Sequence, residues 1–176
     1  MTIANEQVGH PELVGGTTTT LHSHTGGSES EQIVRTTGDL TNNTTTFTDI
    51  TGLTFSMTAN KDYIFEAWII FQSDTVGTGI KFAGNSAAAA TAFGLLAHIP
   101  TVLTLYASCC TLAARAYNTG TPSVSVDAIN ANLLCKIDGL VRCGASGGTF
   151  ALRFAAETTG IVKIITGSVL RYRQTN

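Results

Sequence analysis

From about Glu31 onward, apolar residues recur along the chain with period two. In LTFSMTA, Leu53, Phe55 and Met57 fall on one face and Thr54, Ser56 and Thr58 on the other. In TFALRFAAE, Phe150, Leu152 and Phe154 share a face, with Arg153 and Glu157 opposite. Alternation of this kind predicts half-buried strands, because successive side chains of a strand point to opposite sides of a sheet. DYIFEAWIIFQS is apolar on both faces except for Glu66, which predicts a strand that is central or covered on both sides. IVKIITGSVLRYRQT reads as one or two last strands, kinked near Gly167, where an internal glycine marks a bulge. Turn signals lie at TANKD (58–62), AGNS (83–86), YNTGTPS (117–123) and GASGG (144–148).

One segment resists this reading. SAAAATAFGLLA, residues 86–97, is rich in alanine and favours helix by intrinsic propensity, yet Pro100 stops any helix soon after. It is expected to be a loop or a short helix. The segments then add up to eight or nine short strands and almost no amphipathic helix. That pattern predicts an all-β fold, an antiparallel β-sandwich or jelly roll spanning residues 31–176. Residues 1–30 differ: VGGTTTTLHSHTGGSES carries few large apolar side chains and cannot build its own core, so an extended N-terminal arm is expected. No internal repeat of solenoid length is evident.

Composition sharpens the picture. The 176 residues carry formal charge −2, and only 12% are charged, about half the usual ~25%. Roughly one residue in six is threonine. With 10 Lys+Arg against 12 Asp+Glu there is no excess positive field to hold phosphates, so a nucleic-acid partner is not expected. The first sixteen residues show neither a basic segment nor an apolar stretch, and no export signal or membrane span is expected. Cys109, Cys110, Cys135 and Cys143 sit within apolar runs and lack CxxC spacing, so they read as buried reduced thiols. Cys109 and Cys110, if in a strand, would point to opposite faces.

Candidate chemistry is sparse. His22 and His24, in LHSHTGG, would project to one side of an extended chain about 6.5–7 Å apart. Two imidazoles are too few for a stable first-row metal, but three chains around a threefold axis would offer six, a nitrogen cage suited to iron, nickel or zinc. The plain alternatives are two exposed histidines in a polar arm, or a packed, metal-free trimer seam. Gly144-Ala145-Ser146-Gly147-Gly148 matches G-x-S-x-G, but a strand pattern follows where a nucleophile elbow needs a helix, so a hairpin loop is expected. His10 and His98 have no acid at an informative spacing. Among the carboxylates Asp39, Asp49, Asp62, Glu66, Asp74, Asp127, Asp138 and Glu157, spacing proposes no pair of the kind glycosidases use. Asn42-Asn43-Thr44-Thr45 holds two overlapping glycosylation sequons. Arg171 and Arg173 share a strand face and read as a solvated strand end or a contact for an acidic surface. No enzyme is expected.

The order of these features resembles that of bacteriophage virion proteins carrying a TNF- or C1q-like jelly-roll module. The resemblance rests on 42–73 (NNTTTFTDITGLTFSMTANKDYIFEAWIIFQS), 77–84 (GTGIKFAG) and 149–173 (TFALRFAAETTGIVKIITGSVLRYR), and the HSHTGG arm is similar to HxH segments of phage spikes and fibres. It implies a homotrimeric virion structural protein without enzymatic activity. The favoured expectation is a capsid decoration (cement) protein or short head fibre, attached through residues 1–30 to a major capsid protein. The alternatives are a tail-fibre or baseplate tip that binds a host-surface receptor or glycan and, from another class, a carbohydrate-binding or hydrolytic jelly roll. An arm of this length extended would reach up to ~100 Å. The resemblance also implies that His22 and His24 of three chains can hold iron.

Overall fold

The computed structural model describes residues 30–86, 90–100, 109–114, 119–122 and 125–175. The described residues contain no helix and form eleven strands. These are β1 (Gln32–Arg35), β2 (Leu40–Asn42), β3 (Thr48–Met57), β4 (Asp62–Ser73), β5 (Ile80–Ser86), β6 (Ala90–Pro100), β7 (Cys109–Ala114), β8 (Leu133–Cys143), β9 (Gly148–Ala156), β10 (Val162–Ile164) and β11 (Val169–Gln174). The larger sheet runs β1-β11-β4-β8-β6-β7, with β10 paired to both β4 and β2; the smaller runs β3-β9-β5. Every pairing is antiparallel.

The chain passes from one sheet to the other between β2 and β3, β3 and β4, β4 and β5, β5 and β6, β8 and β9, and β9 and β10. Winding of this sort makes an antiparallel β-sandwich of jelly-roll type. It also corrects one expectation. GASGG does not close a hairpin: β8 ends in the larger sheet and β9 begins in the smaller, so the turn is an arch between layers. The 58–61 turn between β3 and β4 is a second arch, and the two are stitched together. The Asn60 amide donates to Gly144 O at 2.9 Å, and the Cys143 amide to Lys61 O at 2.8 Å.

The core lies between the sheets, built from the apolar set that alternation marks. Leu53, Phe55 and Met57 of β3 and Phe150, Leu152 and Phe154 of β9 are all buried. Phe150 packs its ring 4.8 Å from those of both Phe55 and Phe65, joining the layers. Phe55 also stacks on Tyr172 at 4.2 Å. Gly139 of β8 leaves the room that the Phe65 ring takes, since a Cβ there would overlap it. Cys135 and Cys143 are buried on the inward face of β8, as the sequence suggests. Cys109 and Cys110 fall in β7.

Residues 90–97 are strand, not loop or helix. β6 pairs with β8 along Ala90–His98 and with β7 along Leu95–Pro100. Helix propensity differs by well under 1 kcal/mol per residue between most residue types, and two ladders of hydrogen bonds outweigh it. One strand that alternation does not reveal, β2, is three residues long and pairs with the equally short β10. The kink near Gly167 is real: β10 and β11 follow the same edge of β4, separated by a turn in which Gly167 has φ +87°. The arm, residues 1–30, lies outside the described residues except for Ser30.

Candidate interaction surface

β4 is central, between β11 and β8, but among the described residues only one of its faces is covered. Tyr63, Phe65, Ala67, Ile69 and Phe71 point into the core, whereas Ile64, Trp68 and Ile70 stay half-buried on the outer face. Neighbouring strands extend this apolar surface. Leu134 and Leu140 of β8, Leu96 of β6 and Ile33 of β1 are exposed by 58%, 44%, 46% and 63%, values that belong to surface side chains rather than to a core.

Running through it is a row of charges set by strand register. Arg171, Glu66 and Asp138 are cross-strand neighbours on β11, β4 and β8. Carboxylates placed directly opposite repel, and a cation flanks each. The Arg171 guanidinium donates to Glu66 Oε2 at 2.7 Å, sits 3.5 Å from Glu31 and lies over the Trp68 ring at 4.9 Å. Lys136 Nζ lies 2.9 Å from Asp138 Oδ1, and His98 Nε2 lies 3.6 Å from Asp138 Oδ2. The hydrogen bond to Glu66 holds the Arg171 guanidinium above its ordinary pKa. The one to Asp138 does the same for the Lys136 ammonium. Exposed pairs such as these contribute little to stability; their effect is to fix which charge stands where. A groove of about 490 Å³ runs along this row, lined by Glu31, Ile64, Glu66, Asp138, Arg171 and Arg173 among others.

At the lower end of the face Arg142 grips Asp62 in a two-pronged contact, 2.6 and 2.8 Å. That hydrogen bonding holds the Asp62 carboxyl below its ordinary 3.8. A depressed carboxylate contributes stability that is present above the unfolded-state value and lost as pH falls through the folded one. Urea midpoints should therefore fall more steeply below pH 4 for the wild type than for Asp62→Asn, with the two curves converging in strong acid. Parallel curves would show that the pair does not couple to folding.

The residues singled out by sequence fare unequally. His22, His24 and His10 lie outside the described residues. Ser146 is exposed in the inter-sheet arch, its carbonyl taking the Cys143 thiol at 3.2 Å, and a strand follows it. Arg171 is not a solvated strand end but the centre of the charge row; Arg173 is exposed. Asn42 of the first sequon is buried, its amide group spent on Thr46 O and Phe154 O, while Asn43 is exposed. Sequence reasoning missed the juxtaposition of Glu66 with Asp138, because only strand register brings them together.

No family model matches the chain, and no curated protein sequence does. Among solved structures it is similar to the CBM22-1–GH10 modules of Clostridium thermocellum endo-1,4-β-D-xylanase 10B complexed with xylohexaose. Identity there is 10% over 80% of this chain and 24% of that one, with a TM-score of 0.32. It is also similar to the VP2 subviral particle of infectious bursal disease virus, 8% identical over 82% of this chain and 40% of that one, TM-score 0.22. For the Gx strain of that virus the values are 9%, 82%, 39% and 0.20. The chain thus spans well under half the length of the chains it matches. Likenesses at these scores carry no weight for function; the fold class rests on the strand pairing above.

Proposed function

We propose that this chain is a non-enzymatic virion structural protein, a capsid decoration protein or short head fibre. In this reading it assembles as a trimer through the outer face of its larger sheet and attaches by residues 1–30. The observation that carries it is the open face itself. Its five strands β1, β11, β4, β8 and β6 span roughly 700 Å² at about 3.3 Å per residue and 4.8 Å between strands. That is close to the ~800 Å² each partner buries in a specific interface. Exposed aliphatics interspersed with both signs of charge suit packing against further copies of this chain around a threefold axis. A sugar-binding reading is less well supported, because the Trp68 ring, the aromatic platform of this face, already carries Arg171.

Light scattering on the full-length protein tests the reading. The expected mass is about three times the 18.4 kDa of one chain, falling to a monomer on Leu134→Glu with Leu140→Glu. Both residues are exposed, so the variant should unfold at nearly the same urea concentration as a monomeric wild type. A wild type that is monomeric at every concentration, or a trimer that ignores the double substitution, overturns assembly through this face. Repeating the measurement with a strong chelator reports on His22 and His24: a loss of mass or stability would support the six-histidine site.

A further inference from the structure

The end of the sandwich where β4 finishes carries a second surface, separate from the sheet face. Three loops meet there: 74–79, 125–132 and 157–161. They are stitched by short bonds. The Asp74 amide donates to Ile161 O at 3.0 Å, and the Ile161 amide returns to Asp74 Oδ1 at 2.8 Å. The Asn130 amide donates to Ser73 O at 2.7 Å, and the Gly79 amide to Glu157 Oε2 at 3.1 Å. Thr78 and Thr158 share a hydroxyl bond of 2.8 Å. Each loop nevertheless holds one large aliphatic in solvent: Val76 at 49%, Ile129 at 55% and Ile161 at 43%. Single exposed aliphatics are ordinary; three on loops tied into one end of the sandwich offer a partner several apolar groups from the same end of the fold.

Charge says which partner. The three loops contribute Asp74, Asp127 and Glu157 and no lysine or arginine, and among the described residues no cation pairs with these carboxylates. Glu31 and Gln32, where the chain leaves the 1–30 arm, stand beside Arg171 and Tyr172, toward the far end of β4. The arm's charged side chains are Glu6, Glu12 and Glu29, without a lysine or arginine, so it does not complement an acidic patch. We infer that the loop end is a docking surface for a protein segment that is both cationic and apolar, seating aliphatic or aromatic groups on Val76, Ile129 and Ile161 with lysines or arginines toward Asp74, Asp127 and Glu157. The inference does not depend on how the sheet face is used.

Calorimetric titration of the full-length protein with a synthetic amphipathic lysine/leucine helical peptide tests it. Binding is expected, weakening as salt rises, and weakening at least about tenfold on Ile129→Ser with Asp127→Asn. These two side chains are exposed, and Asp127 carries no cap like that of Asp74, so thermal unfolding and oligomeric mass should not change. Ser146→Ala, exposed in the arch at the opposite end of the sandwich, should leave the affinity intact. Four results overturn the inference: no binding, equal binding by the Asp127/Ile129 variant, equal binding of a glutamate/leucine peptide, or equal binding of a lysine/serine peptide. Binding to zwitterionic phosphatidylcholine vesicles that competes with the peptide would also overturn it, in favour of a lipid surface.

Discussion

Phe150→Ala should destabilise the fold by about 3–5 kcal/mol, a fall in unfolding midpoint of roughly 10–15 °C for a chain of this size. Phe150 is fully buried in β9, the middle strand of the smaller sheet. Its ring touches those of Phe55 beside it and Phe65 in the facing sheet, with Phe93 6.4 Å away. Removing the ring deletes contacts on both sides of the sandwich at once. The void cannot close easily, because β9 is hydrogen-bonded on both edges, to β3 and to β5. Phe150→Leu, which keeps most of the volume, should cost about 1–2 kcal/mol. Urea denaturation of the two variants gives the comparison. Equal losses would mean that the aromatic cluster does not join the layers as described.

Gly52→Ala should cost about 2–4 kcal/mol, a large effect for one methyl group. Two causes act together. Gly52 has φ +93°, in the left-handed region that a side chain disfavours. A Cβ there would also strike the Arg35 carbonyl oxygen and crowd Thr36, and neither backbone can retreat without breaking a pairing. Gly52 sits where β3 slips register against β9, between Asp49 and Thr54. That bulge lets the end of β1 close over the edge of the smaller sheet. Gly38→Ala is the control: nothing lies within 4 Å of its Cβ position and its φ is not positive, so its stability should match the wild type. A neutral Gly52→Ala would show that the bulge relaxes freely and that β1 does not depend on it.

Much of the fold is legible along the chain wherever a strand has one wet and one dry face. Leu53, Phe55 and Met57 are inward because alternation with threonine and serine leaves no other arrangement. The apolar second face of β4 is legible as well, although among the described residues no second layer covers it. The alanine-rich stretch misleads because alanine favours helix when alone, and only the neighbours β7 and β8 make it a strand. GASGG misleads for a related reason. A glycine-rich turn between two strand patterns looks the same whether it joins neighbours in one sheet or arches between two.

The interaction surface divides along the same line. Trp68 and Ile64 declare themselves as surplus apolar residues on a strand, but the row Arg171–Glu66–Asp138–Lys136 has no signature in spacing. Its members come from three strands far apart in the chain, and a one-residue change of register would scatter them. Likewise, Asp74 caps Ile161 across two loops that sequence alone would treat as unrelated.

What the sequence by itself determined is the all-β class, most of the strands and which of their side chains point inward, since a period of two is written locally in each segment. Only the tertiary structure decided which sheet each strand joins, which turns arch between layers, which carboxylates stand side by side and which apolar residues remain uncovered. Those depend on strand pairing between distant segments, where the energy lies in packing and hydrogen bonding that no single stretch of chain contains.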